Sequence, residues 1–110
     1  MQDTYRPNEG YFDSAGRRFH VILLRNALLS QAVTVGVSAT RIPATPLTAR
    51  RTIIILNNSD NDIYIGNADV TIAAGYVLRP QDTFKIDISD EVDVYGIAGS
   101  NSECRILEGS

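Results

Sequence analysis

From Ala32 onward apolar and polar residues alternate in short runs, and turn signals interrupt them roughly every 8 to 12 residues. A period of two puts successive side chains on opposite faces of a strand, so this pattern restricts the chain to β architecture. The strictest run is Thr83-Phe84-Lys85-Ile86-Asp87-Ile88, with Phe84, Ile86 and Ile88 on one face and Lys85 and Asp87 on the other. Ala32-Val33-Thr34-Val35-Gly36-Val37 and Val92-Asp93-Val94-Tyr95-Gly96-Ile97-Ala98 alternate in the same way. Arg51-Thr52-Ile53-Ile54-Ile55-Leu56-Asn57 is apolar enough to run through the middle of a core. After the turn residues Asn58-Ser59-Asp60-Asn61, the stretch Asp62-Ile63-Tyr64-Ile65-Gly66 reads as the second half of a hairpin with it. Arg41-Ile42-Pro43 reads as an edge strand, because proline has no N–H for a central ladder. Residues 67–75 form a loop around an apolar island at Val70-Thr71-Ile72, and Arg79-Pro80-Gln81-Asp82 is a turn. Tyr76-Val77-Leu78 and Glu103-Cys104-Arg105-Ile106-Leu107 complete the set. The expected fold is all-β, an antiparallel β-sandwich or small jelly-roll-like barrel of seven or eight short strands.

The first 31 residues differ in pattern and charge. Residues 1–51 carry seven arginines against Asp3, Glu9 and Asp13, a net of +4; residues 52–110 carry three basic groups against ten carboxylates, a net of −7. All but one of the ten basic residues are arginine, the side chain suited to planar, bidentate contacts. Residues 1–16 are polar and turn-rich yet hold Tyr5, Tyr11 and Phe12, and aromatic residues are scarce in segments that stay disordered. Residues 17–31 fit two readings. Val21, Leu24 and Leu28 lie on a helical stripe, whereas Phe19 to Leu24 also fits a buried strand. The chain therefore divides into an N-terminal arm or linking segment, residues 1–31, containing a short helix or strand, and a β domain, residues 32–110.

The sequence offers little to catalysis. One histidine, His20, and one cysteine, Cys104, leave a nucleophile–base–acid triad without spare parts. No Gly-x-Ser-x-Gly elbow, dinucleotide fingerprint or Gly-Lys-Ser/Thr phosphate loop occurs. One Cys and one His cannot build a Cys/His zinc site alone, and Cys104 fits strand packing. Asn57 to Asp62 is rich in oxygen ligands but lacks the central Gly and terminal Glu of an EF-hand loop, so turn chemistry accounts for it. Asp87, Asp90, Glu91 and Asp93 fall at outward or turn positions. The expectation is a protein that is not an enzyme and carries no cofactor or metal. No run approaches the ~20 apolar residues of a membrane span, and Val21-Ile22-Leu23-Leu24 stops at Arg25. The opening Met1-Gln2-Asp3-Thr4 has no signal-peptide pattern, which predicts synthesis in a cytoplasm. Arg17-Arg18, Arg25 and Arg50-Arg51 invite a nucleic-acid reading, but the acidic balance and the lack of interleaved aromatics favour protein interfaces instead.

The order of several phrases from Val33 to Glu108 resembles small β-rich accessory modules in virions of tailed bacteriophages. These are Val33-Thr34-Val35-Gly36, Ala44-Thr45-Pro46-Leu47, Ile53-Ile54-Ile55-Leu56-Asn57-Asn58-Ser59-Asp60 and Ile63-Tyr64-Ile65-Gly66, followed by Asp69-Val70-Thr71, Leu78-Arg79-Pro80-Gln81-Asp82, Val94-Tyr95-Gly96-Ile97-Ala98 and Arg105-Ile106-Leu107-Glu108. Gln81 departs from the pattern, since such modules place Gly in this turn. The resemblance implies a structural virion protein, foremost a capsid decoration (cement) protein binding the major capsid protein or another virion protein, as a homo-oligomer with a trimer favoured. The alternative is a tail or head-fibre module that reads a host surface glycan or protein through loops such as residues 58–61 and 99–102. Neither role calls for nucleic acid or membrane. Partner contact is expected at Tyr5, Tyr11, Phe12, Arg17, Arg18, Phe19 and Arg25, so deleting residues 1–31 should abolish particle binding and leave the β domain folded.

Overall fold

The structure, a computed structural model, describes residues 26–110. It is all-β, with eight strands: β1 (Leu28–Val35), β2 (Thr40–Ile42), β3 (Thr52–Asn57), β4 (Ile63–Gly66), β5 (Tyr76–Leu78), β6 (Thr83–Ile86), β7 (Val94–Ala98) and β8 (Ser102–Gly109). They form two antiparallel four-stranded sheets, ordered β1-β8-β3-β6 and β2-β7-β4-β5. The pairs β1/β8, β2/β7, β3/β6 and β4/β5 nest inside one another, as if one long hairpin had been folded across two layers. That nesting is the jelly-roll topology, one of the two expected forms.

It also corrects one reading. The strands on either side of the Asn58-Ser59-Asp60-Asn61 turn do not form a hairpin, since β3 pairs with β6 and β8 while β4 pairs with β5 and β7. The Asn57 side chain makes the crossing possible. Its Nδ2 donates to the carbonyls of Asn61 (2.7 Å) and Leu78 (2.8 Å), and its Oδ1 accepts from the Ser59 N–H (3.1 Å) and hydroxyl (2.6 Å). A fully buried amide thus supplies the bonds that a hairpin ladder would have made.

The core follows from the alternation. In the first sheet Val35, Ile53, Ile55, Cys104 and Ile106 face inward, and in the second Ile42, Ile63, Ile65, Leu78, Val94 and Ala98 meet them. Gly96 faces inward too, because a Cβ there would stand 2.6 Å from Ile42 Cδ1. β1 begins at Leu28, upstream of the regular alternation, so Leu28 to Gln31 are strand and not helix. The apolar island near Val70 is not a strand. The loop folds back so that Val70 covers Gly66, where a Cβ would lie 2.8 Å from Val70 Cγ2.

Strand direction alternates along the chain, so the loops divide between two poles. Residues 36–39, 58–62, 79–82 and 99–101 gather at one, here the upper pole, and residues 43–51, 67–75 and 87–93 at the lower. The chain enters at the lower pole, where the Asn26 N–H donates to Ser110 O (2.9 Å) and the Ser110 N–H to Ala27 O (3.0 Å).

Candidate interaction surface

At the lower pole, the turn Leu47-Thr48-Ala49-Arg50 is closed by the Arg50 N–H on Leu47 O at 3.1 Å. It points the Arg50 guanidinium inward, where Nη1 meets Glu108 Oε2 at 3.0 Å with both side chains fully buried. The same Oε2 accepts the Leu47 N–H (3.2 Å), and Oε1 accepts from Gln31 Nε2 (3.3 Å). The other guanidinium nitrogens donate to the carbonyls of Ile88, Ser89 and Val92. Every buried charge here has a partner, and the network ties β1, β8 and two lower loops together. The arginine pair at 50 and 51 is therefore not an interface as a unit, because Arg50 is spent inside its own chain. Alternation carried a signal for this: Cys104, Ile106 and Glu108 share a parity, which puts a carboxylate on the core face.

The carboxylates at 87, 90 and 93 are likewise engaged locally. Asp93 pairs with Arg41 (2.9 Å), Asp90 caps the Ala49 N–H (3.0 Å) and Asp87 lies 3.5 Å from Lys85. Cys104 is fully buried, with its thiol directed at Val33 O at 3.5 Å. Burial, reinforced by the charge of Glu103, pushes that thiol up to about 11.

At the upper pole, the two loops named for recognition lie together. Asn61 Nδ2 donates to Ser102 Oγ (3.2 Å), and that hydroxyl donates to Ser100 O (2.9 Å). Asn58 Nδ2 donates to Glu103 Oε1 (2.9 Å), and the Ser59 hydroxyl, which donates to Asn57 Oδ1, accepts the Asn61 N–H (3.2 Å). The side-chain oxygens of Asn57 and Ser59 thus serve turn bonds, and among the described residues no group of three or more His, Cys, Asp or Glu side chains is placed to hold a metal ion. A shallow depression of about 330 Å³ lies at the lower pole beside Gly66, Asn67, Asp69 and Val70. Asn67 Oδ1 there is taken by the Asp69 N–H (3.0 Å).

The remaining surface of note is the outer side of the first sheet and its β1 edge. Leu107 lies between Ser30 of β1 and Ile54 of β3, and Arg105 between Ala32 and Leu56. Leu28 is 64% exposed and Leu29 39%. Arg105 pairs along its own strand with Glu103 at 3.3 Å. Tyr5, Tyr11, Phe12, Arg17, Arg18, Phe19 and Arg25 lie outside the described residues, as does His20. Among the described residues no helix is long and apolar enough to cross a membrane.

The fold defines the class to which the chain belongs, an eight-stranded antiparallel jelly roll. Beyond that class, no protein-family model, no curated protein and no solved structure matches the chain.

Proposed function

We propose that this protein is a structural virion component of a tailed phage, a capsid decoration protein that attaches to the head lattice through its N-terminal segment. The observation that carries the reading is the division of labour along the chain. Among the described residues the buried core draws on positions from Val35 to Ile106, all of them downstream of the Arg-rich segment. That segment joins the body at the lower pole, anchored by the Asn26–Ser110 bond. A rigid body with a separate attachment segment suits repeated docking on a lattice, where many identical sites offset the cost of ordering each segment. Jelly rolls recur in capsid and lectin domains, which is support by analogy of fold alone.

The test is particle binding by a chain cut before Asn26, which leaves β1 whole, with circular dichroism as the control for folding. Co-sedimentation with phage heads lost while the strand signal persists is the expected result. Normal decoration by the folded, shortened chain overturns the proposal. The convergence of residues 58–61 and 99–102 at the upper pole favours one second reading, a tail or head-fibre module that recognises a host glycan or protein there. Copy number on purified particles separates the two: hundreds of copies support the head, and a handful support a fibre or tail.

A further inference from the structure

A sheet edge is a row of unpaired N–H and C=O groups, and soluble proteins blunt such edges with short strands, prolines, bulges or charges. Three of the four edges here follow that rule. β2 has three residues, carries Arg41 and runs directly into Pro43. β5 also has three residues and is followed by Arg79-Pro80. β6 has four residues, with Lys85 among them. The fourth edge, β1, breaks the rule in every respect: it runs for eight residues, Leu-Leu-Ser-Gln-Ala-Val-Thr-Val, without a charge or a proline. It pairs with β8 without a register shift from Leu28 to Val35, so no bulge protects it.

We infer that the edge of β1, which has no partner strand among the described residues, pairs antiparallel with the same edge of a second copy, joining two β1-β8-β3-β6 sheets into one continuous sheet about a twofold axis. The absence of charge selects the occupant. A strand that meets itself sets each charge near its own copy, and β1 has none to oppose. A partner strand rich in arginine, such as the Arg17 to Arg25 stretch of this chain, would find no carboxylate along β1. The neighbouring outer-face carboxylate, Glu103, already holds Arg105 and Asn58. The partly uncovered Leu28 and Leu29 flank this edge and would gain cover from the second copy. This inference stands apart from attachment through residues 1–25, and edge pairing closes as a dimer, not as the trimer that the virion resemblance favours.

The test is the mass of the full chain by sedimentation equilibrium. Wild type is expected at twice the 12.0 kDa chain mass. Ala32 is exposed on the outer face opposite Arg105, so Ala32→Glu suits the isolated fold yet sets two like charges close together across the twofold. It should raise the dimer dissociation constant roughly tenfold or more. Ala32→Gln, of similar size and no charge, should leave the dimer intact, as should Thr83→Glu on the opposite edge of the same sheet. Should Ala32→Glu fail to fold, Ser30→Glu serves in its place. A monomeric wild type overturns the inference, and protected β1 amides in that monomer would assign the edge to the chain's own residues 1–25. A wild-type trimer, or a dimer indifferent to both glutamates, overturns it as well.

Discussion

Arg50 and Glu108 show how a charge enters this core. Each is fully buried, and each finds its bonds in loops and strands distant in sequence. Burying such a pair gains little net stability over an apolar pair of equal volume, but stranding one member is costly. Glu108→Ala leaves a buried guanidinium without its counter-charge and should lose about 3–5 kcal/mol in urea unfolding. Glu108→Gln retains an acceptor for Leu47 and should lose less. Cys104 makes a second prediction, in pH. Its thiol ionises near 9.0 when unfolded and near 11 when buried. The unfolded chain therefore gives up the proton first, and unfolding becomes easier as pH rises. The full contribution is present below pH 9 and disappears as pH passes 11, a loss of about 2–3 kcal/mol. Cys104→Ala should flatten this alkaline decline in chemical denaturation curves measured across that range.

Turns and strands differ in how plainly the sequence announces them. β4 and β7 were legible because their alternation reports one buried face, and β3 because its unbroken isoleucine run suits the middle of a core. β1 was half legible: its regular part from Ala32 was evident, but Leu28 to Gln31 belong to the outermost described strand of their sheet and are mostly exposed on both faces, so no period two survives. Pairing was not legible, because turn chemistry at residues 58–61 is compatible with a hairpin and with a crossing between sheets alike. The side chain of Asn57, which decides the matter, acts through a contact to Leu78 that no local pattern contains. The turn at Arg79 to Asp82 was recognisable, and Gln81 was the residue out of place. It adopts φ 66°, and the Asp82 N–H bonds Arg79 O at 2.9 Å, the arrangement of a type II turn with Pro80 ahead of the left-handed position. A side chain is strained there and glycine is not. Gln81→Gly should therefore raise stability by about 0.5–1 kcal/mol, read as a higher urea midpoint at constant slope.

At the scale of the whole molecule, the nested pairing means that neighbours in space are strangers in sequence. Gln31 and Glu108 bond across 77 positions, and Cys104 reaches Val33 across 71. Chains that must close such long loops before any contact rewards them fold slowly, in the millisecond-to-second range. Stopped-flow refolding should fall in that range, and a microsecond phase carrying the full amplitude would contradict it. The sequence made the all-β class and the core faces legible, but loop closure over such distances leaves no local trace, so the nesting itself was not.

The place of β8 between β1 and β3 has a consequence for the chain as it is made. β8 follows the other seven strands in order, yet it fills the centre of the first sheet. While it is still inside the ribosome, β1 and the isoleucine run of β3 stand apart with a strand-wide gap between them, and Arg50 waits without its carboxylate. The growing chain thus presents two unmatched strands until β8 emerges. Closure of the first sheet waits on that strand, and exposure to misassociation before it is set by the speed of translation as much as by the stability of the finished fold.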